Sequence, residues 1–344
     1  ISNADSNNFI WGQNFLQPLY GTASSWLIGH SYFNFDQHRL QDIHILNGIL
    51  LFLVMGCFFS DLFSGKKKEI YYPIFFSLLI FILIKYTRLK EFGIDRPATL
   101  IFCFLIYFYL KYFLNVEKNE IINNFIIILL LSIFLFLIKI IYLPVLLIPL
   151  FIFYKNKSNL LKINKKYLII LLPIFVLIMK NLLGTGCLIY PVEITCIEFL
   201  PWANNIAVRE FVLSSEIFNK SWYSYTGGLS EEKYIQNFNW FSTWYYRIQS
   251  EILEIFLTLI LIIVFSLFLF NFKSKKNYSL NVNFNNFGIL LLFIIIFSFI
   301  IFLKNPVIRM YHFSLLSFMI LIISLFFKFD IKTHKNNFVL IVLI

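Results

Sequence analysis

A chain of 344 residues that is 59% hydrophobic and only 14% charged, with mean hydropathy +0.78, is not a water-soluble domain; such domains sit near 45–50% apolar with about a quarter of their residues charged. Its net charge of +11 would suggest nucleic acid in a soluble protein. Here the cations fall in short loops between apolar runs, where they set membrane topology, so no nucleic-acid partner is expected. The 44 phenylalanines and the abundant lysine fit the codon bias of an AT-rich genome, so their bare counts weigh little.

In chain order, residues 1–43 are mixed, aromatic and polar, with no run long enough to span. Apolar runs follow at 45–63, 70–84, 97–114, 124–138, 141–154, 167–183, 252–272, 287–303 and 311–327, with another starting at 338. Each is read as a helix, because lipid leaves the backbone no other partner. A span needs about 20 residues, and flanking lysines snorkel to extend the shorter runs. The expected fold is all-α: a polytopic integral membrane protein with about 9–10 transmembrane helices. Ile1 is no natural start and the last run is unfinished, so both ends are expected to be cut.

Lys and Arg set the orientation. One set of alternating loops carries Lys66–Lys68, Lys118, the lysines of 155–166, those of 273–276, and Lys332 with Lys335. It is richer in cations than the other set and is assigned to the cytoplasm. Segments 1–43, 85–96, 183–250 and 304–310 then lie outside. The organisation expected is an extracytoplasmic first-loop region (1–43), transmembrane helices (44–183), a large extracytoplasmic loop with interfacial helices (184–250) and C-terminal transmembrane helices (251–344). Segment 85–96 opposes the rule with Lys85, Arg88, Lys90 and Arg96. Either those cations serve a purpose outside or an earlier run does not span; we adopt the first.

The break at 183–250 holds four of the six tryptophans: Trp202, Trp222, Trp240 and Trp244. Loops beyond about 12–15 residues are uncommon without a function. Segment 203–218 is expected to lie along the membrane as a helix. Phe241, Trp244, Tyr245 and Ile248 recur at three and four residues, which predicts a second helix over 231–248. Its rings serve either as an interfacial belt or as a stacking surface for sugar or lipid. Cys187 and Cys196 share this outer loop, where an oxidising environment makes a disulfide plausible. Cys57 and Cys103 lie in apolar runs and read as inert small hydrophobes.

Chemistry is sought at the outer helix ends. Asp95, two residues before Pro97, is either a carboxylate favoured by the helix dipole or part of a site. With Arg88, Lys90 and Arg96 beside it, that site suits a metal or a lipid-linked diphosphate. Asp5 is either part of an unstructured end or a general base for an acceptor hydroxyl. Lys139 interrupts a helical hairpin and either snorkels or faces a cavity. Arg309 follows Pro306 at another outer helix start, with His312 one turn on; it either grips a phosphate or anchors at the interface. The sequence has no CxxC, His-pair metal spacing, GxGxxG or P-loop.

The order of these parts resembles the GT-C superfamily of polytopic glycosyltransferases. The resemblance is carried by the outer segment with Asp5, then YGTASSWLIGHSYFNFDQHRLQDIHILNGIL, IDRPATLIF and LIKIIYLPVLLIPL. The stretch KNLLGTGCLIYPVEITCIEFLPW is similar to an uncharacterised bacterial subfamily of that group. The resemblance implies a multi-pass protein of the bacterial inner (cytoplasmic) membrane. It would move a sugar from a polyprenyl-phosphate-linked donor to a glycan, lipid or protein acceptor at the outer face. It implies Asp5 and Asp95 as catalytic, with Arg88, Arg96, Lys139, Arg309, His312, Tyr190 and Trp202 contacting substrate. The paired acidic motif of the first loop is absent, Asp5 being followed by Ser6, so the need for a divalent cation stays open. An O-antigen-type polymerase or ligase and a non-enzymatic lipid or glycan transporter are the alternatives.

Overall fold

Peptide groups in hydrocarbon must find their partners within their own segment, and helices do this without help from neighbours. A computed structural model describes residues 45–63, 71–86, 95–113, 121–160, 168–221, 229–271 and 284–333. Its principal helices are α1 (Ile45–Phe63), α2 (Tyr72–Lys85), α3 (Asp95–Phe108), α4 (Ile121–Ile138), α5 (Leu147–Lys155), α6 (Leu168–Thr185), α7 (Asn205–Ser221), α8 (Phe241–Asn271), α9 (Phe284–Lys304) and α10 (His312–Thr333). The described residues contain no strand, only an isolated antiparallel bridge between Cys187 and Cys196. Among the described residues, five stretches are long and apolar enough to cross a membrane: Ile45–Phe63, Ile121–Ile138, Phe241–Leu269, Phe287–Lys304 and Ile308–Phe326. Tyr72–Lys85, Ile140–Lys155 and Leu172–Thr185 are shorter apolar helices. The protein is an all-α polytopic membrane protein.

The core is built on α3. From Pro97 to Tyr107 every residue but Phe104 is buried, and α1, α2, α4 and α10 pack around it. α9 lies along α10, and α8 lies along α2. α6 rests on α4 at the periphery, with Leu172, Phe175 and Val176 turned outward. Such exposed apolar side chains are what a lipid-facing surface requires.

Polar links tie the helices where apolar packing gives no register. In the interior, the hydroxyls of Ser77 (α2) and Ser266 (α8) are 2.5 Å apart. At one end of the bundle, Asp61 of α1 accepts from Tyr107 Oη at 2.7 Å and from Lys111 Nζ at 2.7 Å. Lys111 sits in a π turn, Tyr109–Phe113, that extends α3. Lys85, Asp95, Lys139 and Arg309 occupy the opposite end.

Two predicted elements differ in the structure. The run 141–154 is a composite: a 3-10 helix, Ile140–Leu146, leads directly into α5. Pro144 inside it has no N–H to give an α-helical ladder. The stretched 3-10 rise carries these 16 residues about 27 Å, nearly the thickness of a bilayer core. The helix expected over 231–248 is broken instead. It stops at Ile235, and Asn237 and Phe238 take left-handed φ values of 52° and 60°. A single 31-residue helix then runs from Phe241 to Asn271, because nothing between Tyr245 and Leu253 breaks a helix. At about 46 Å, α8 is longer than the bilayer core is thick. A helix is present over the expected segment 203–218, as α7.

The packing predicts a sharp contrast between two truncations. Phe102, fully buried in α3 against Phe313, loses those contacts when cut to alanine. The expected cost is about 3 kcal/mol. Leu172→Ala, on the outward face of α6, should leave thermal unfolding in detergent nearly unchanged. Equal shifts for the two variants would contradict this packing.

Candidate functional site

Asp95 opens α3, where the exposed N–H groups and the dipole favour a carboxylate. Its own carbonyl accepts from Thr99 Oγ1 at 2.8 Å, securing the first turn. Thr99 in turn lies 3.4 Å from the Tyr142 hydroxyl, and the Tyr142 ring packs 4.5 Å from Phe313. The floor beneath Asp95 is therefore contributed by α3, the 3-10 helix and α10.

Lys139 reaches Asp95 because the chain is not helical at that residue. Its extended backbone (φ −158°, ψ 125°) separates α4 from the 3-10 helix. The ammonium donates to Asp95 Oδ1. Burial pulls Lys139 below the ordinary lysine range, Asp95 opposes that shift, and Arg309 adds to it.

Arg309 lies in the 3-10 turn Ile308–Tyr311 that precedes α10. Its Nε is 3.8 Å from Asp95 Oδ2, beyond hydrogen-bond range, and its side chain remains 64% exposed. His312 starts α10 with its ring edge-on to Phe81 at 5.8 Å, within electrostatic reach of Lys85, Asp95 and Arg96. The Arg96 carbonyl accepts from the Tyr86 hydroxyl at 2.5 Å, and Arg96 borders a narrow recess with Asn47 and Tyr86. Beside the cluster, Lys85 ends α2 and donates to Glu254 of α8 at 2.6 Å.

Over the same end lies the segment after α6. Gly186 turns the chain with φ +77°. The strand-like pairing of Leu188 N to Thr195 O and Ile197 N to Gly186 O then brackets a disulfide between Cys187 and Cys196. Asn181 and Trp202 bind this cap to α6, donating to the carbonyls of Leu188 (3.1 Å) and Leu182 (2.9 Å). Tyr190 stacks on Phe211 of α7, and burial pushes its hydroxyl up to about 12. Trp244 Nε1 donates to Pro306 O at 2.7 Å, which ties α8 to the turn bearing Arg309.

Of the residues singled out from sequence, the structure joins Asp95, Lys139 and Arg309 directly and sets His312 and Arg96 beside them. Tyr190 and Trp202 pack within the cap, and their described contacts are to it and to α6. Asp5 and Arg88 lie outside the described residues. Sequence reasoning missed the Lys85–Glu254 pair and the Thr99–Tyr142 floor. The misplaced cations of 85–96 were a signal for the first; the one-turn spacing of Lys139 and Tyr142 was a signal for the second.

With Lys139 and Arg309 against one carboxylate, the trio carries an excess positive charge at a helix N-terminus, which favours an anion. A divalent cation does not fit these residues. Asp95 already faces two cations, and among the described residues no three His, Cys, Asp or Glu side chains gather as ligands.

Two outcomes follow for stability. Lys139→Met leaves Asp95 with only the looser contact to Arg309 and should cost about 2 kcal/mol, most of it regained when Asp95→Asn is added; strictly additive losses in thermal unfolding would count against the coupling. In Gly186→Ala the new methyl would sit 2.6 Å from Ala203 Cβ at a left-handed φ. That should cost about 2 kcal/mol and open residues 184–204 to protease; unchanged protection would contradict it.

Compared with known proteins, the chain matches no curated protein and no solved structure. A family model does match it, over residues 6–316, and its description is a domain of unknown function, DUF8201. That match covers most of the chain, and the protein belongs to the DUF8201 family.

Proposed function

We propose that this protein is a membrane glycosyltransferase of the bacterial cytoplasmic membrane. It moves a sugar from a polyprenyl-phosphate-linked donor to an acceptor hydroxyl at the extracytoplasmic face, in assembly of a surface glycan, glycolipid or glycoprotein. One observation carries the reading: Asp95, Lys139 and Arg309, drawn from three separate elements, meet at one end of the bundle. One excess positive charge beside an exposed guanidinium, that of Arg309, suits a phosphate group, and its place at the helix ends suits a phosphate whose lipid tail stays in the bilayer.

In this reaction the bond from the sugar C1 to the phosphate oxygen breaks, and a new bond forms from C1 to the acceptor oxygen. The phosphate leaves on its lipid with the electron pair, and negative charge grows on it. Arg309 and Lys139 offset that charge, an effect worth about two to three orders of magnitude per donor in other enzymes. Asp95 holds both cations in place before the substrate arrives. The acceptor proton goes to a carboxylate base, a role we give to Asp5.

The test is transfer in vesicles holding the purified full chain, a radiolabelled polyprenyl-phosphate sugar and a simple glycoside acceptor. Asp95→Asn and Arg309→Ala should each lower release of lipid phosphate by about a hundredfold or more, with membrane insertion unchanged. Full activity in both variants would overturn the site.

A further inference from the structure

The hairpin of residues 186–197, closed by the Cys187–Cys196 disulfide, is covered where it meets α7: Cys187, Tyr190 and Val208 are buried there, and Tyr190 stacks on Phe211. What it leaves uncovered is apolar. Leu188, Ile189 and Val192 are exposed. Ile194 (92%) and, just past the hairpin, Phe199 (84%) are the two most exposed large hydrophobic residues among those described. Its polar groups are turned inward instead. The Thr195 hydroxyl accepts from Ile189 N–H at 3.1 Å and shares its proton between the carbonyls of Ile189 and Val192, at 2.9 and 2.7 Å. The N–H groups of Leu188, Val192, Thr195 and Ile197 donate to carbonyls of the same hairpin. Water would serve those backbone groups as well and lipid would not, so bonds closed within and apolar side chains outside suit a lipid neighbour.

The way the hairpin is tied to α6 sets its height. A loop that left the helix end straight outward would carry its tip away from the bilayer. Here Gly186 turns the chain with φ +77°, and Asn181 donates to the Leu188 carbonyl at 3.1 Å. Asn181 lies one turn before the end of α6, about 6 Å back along the axis, and helix side chains lean toward the helix N-terminus. Leu188 therefore lies beside the last turn of α6, not beyond it. Trp202 returns to the same turn, donating to Leu182 O at 2.9 Å. α6 is peripheral, with Leu172, Phe175 and Val176 turned outward to lipid, so a hairpin laid against its last turn meets the same bilayer. Glu193, exposed between Val192 and Ile194, limits the depth to the headgroup level, because a carboxylate in hydrocarbon is costly.

We propose that the disulfide hairpin is a membrane-surface anchor. Ile194 and Phe199 enter the boundary between headgroups and acyl chains beside α6, as interfacial segments do, and hold the cap against the bilayer. The occupant of this apolar surface is lipid rather than a protein partner or a second copy of the chain. The reason is height: the surface begins at the level of the last turn of α6, where lipid is already the neighbour. The inference does not rest on the transferase reading, since its test measures depth rather than transfer.

The purified full chain is reconstituted in dioleoyl phosphatidylcholine vesicles and labelled in two ways. One reagent is a diazirine that partitions into the bilayer; the other is hydroxyl radical made by water radiolysis on both sides of the membrane. Modified side chains are located by mass spectrometry. Ile194 and Phe199 should take the diazirine to within about threefold of Phe175, and should react with the radical about tenfold more slowly than in the unfolded chain. In Ile194→Asp, with the disulfide still formed, diazirine labelling of Phe199 should fall about tenfold, the loss expected when one large apolar side chain no longer partitions. Radical reactivity near that of the unfolded chain would place both residues in water. Protection from both reagents would assign the surface to a protein partner or a second copy. Either result, or unchanged labelling of Phe199 in Ile194→Asp, would overturn the proposal. The two measurements on the unaltered chain decide it even where the variant does not fold.

Discussion

The Asp95 carboxylate is the point on which one end of this bundle depends. It belongs to α3, the most buried helix, so its position is set by the packing of the whole core. Lys139 comes to it from the break between α4 and the 3-10 helix, and Arg309 from the turn before α10. A charge at the membrane boundary is expensive unless paired. Here one anion answers two cations, so the three elements hold one another while a net positive charge remains. The opposite end uses the same device in a balanced form, with Asp61 taken by Tyr107 and Lys111. The contrast between a balanced cluster and an unbalanced one is the physical reason for seeking a ligand at the Asp95 end.

The fold was legible in the sequence to the extent that lipid dictates it. Runs of apolar residues must be helices, and the ends of α1, α2, α6 and α9 fall within a few residues of the runs that announced them. Two places were not legible for a local reason. At 245–253 the polar stretch looked like the border between an interfacial helix and a span, yet those residues are good helix formers and carry no breaker. The real break comes earlier, at Asn237 and Phe238, where left-handed backbone is required. At 140–146 the hydropathy was right, but Pro144 changed the kind of helix.

For the site, sequence could nominate residues but not pair them. Asp95 and Lys139 were each suspicious as ionisable groups beside apolar runs, and 44 positions separate the members of that pair. Glu254 sat inside a run read as a span and raised no question. Its partner Lys85 was conspicuous only as a cation on the wrong side of the expected topology. Their contact gives that cation a structural role, linking the end of α2 to α8. The ring of Trp244, read as part of either a belt or a stacking surface, is packed against Trp240 and Phe302.

The length of α8 links the cap to the charges. Within one unbroken helix, Trp244 holds the turn before Arg309 through Pro306, and Glu254 holds the end of α2 through Lys85. Those two anchor points are about 15 Å apart along the axis. Just before α8 begins, Trp240 packs under Lys220 of α7 in the cap. One unbroken helix thus lies between the contact with α7 at its start and the contacts with both the Arg309 turn and the end of α2, so these three borders are fixed relative to one another by the same rod.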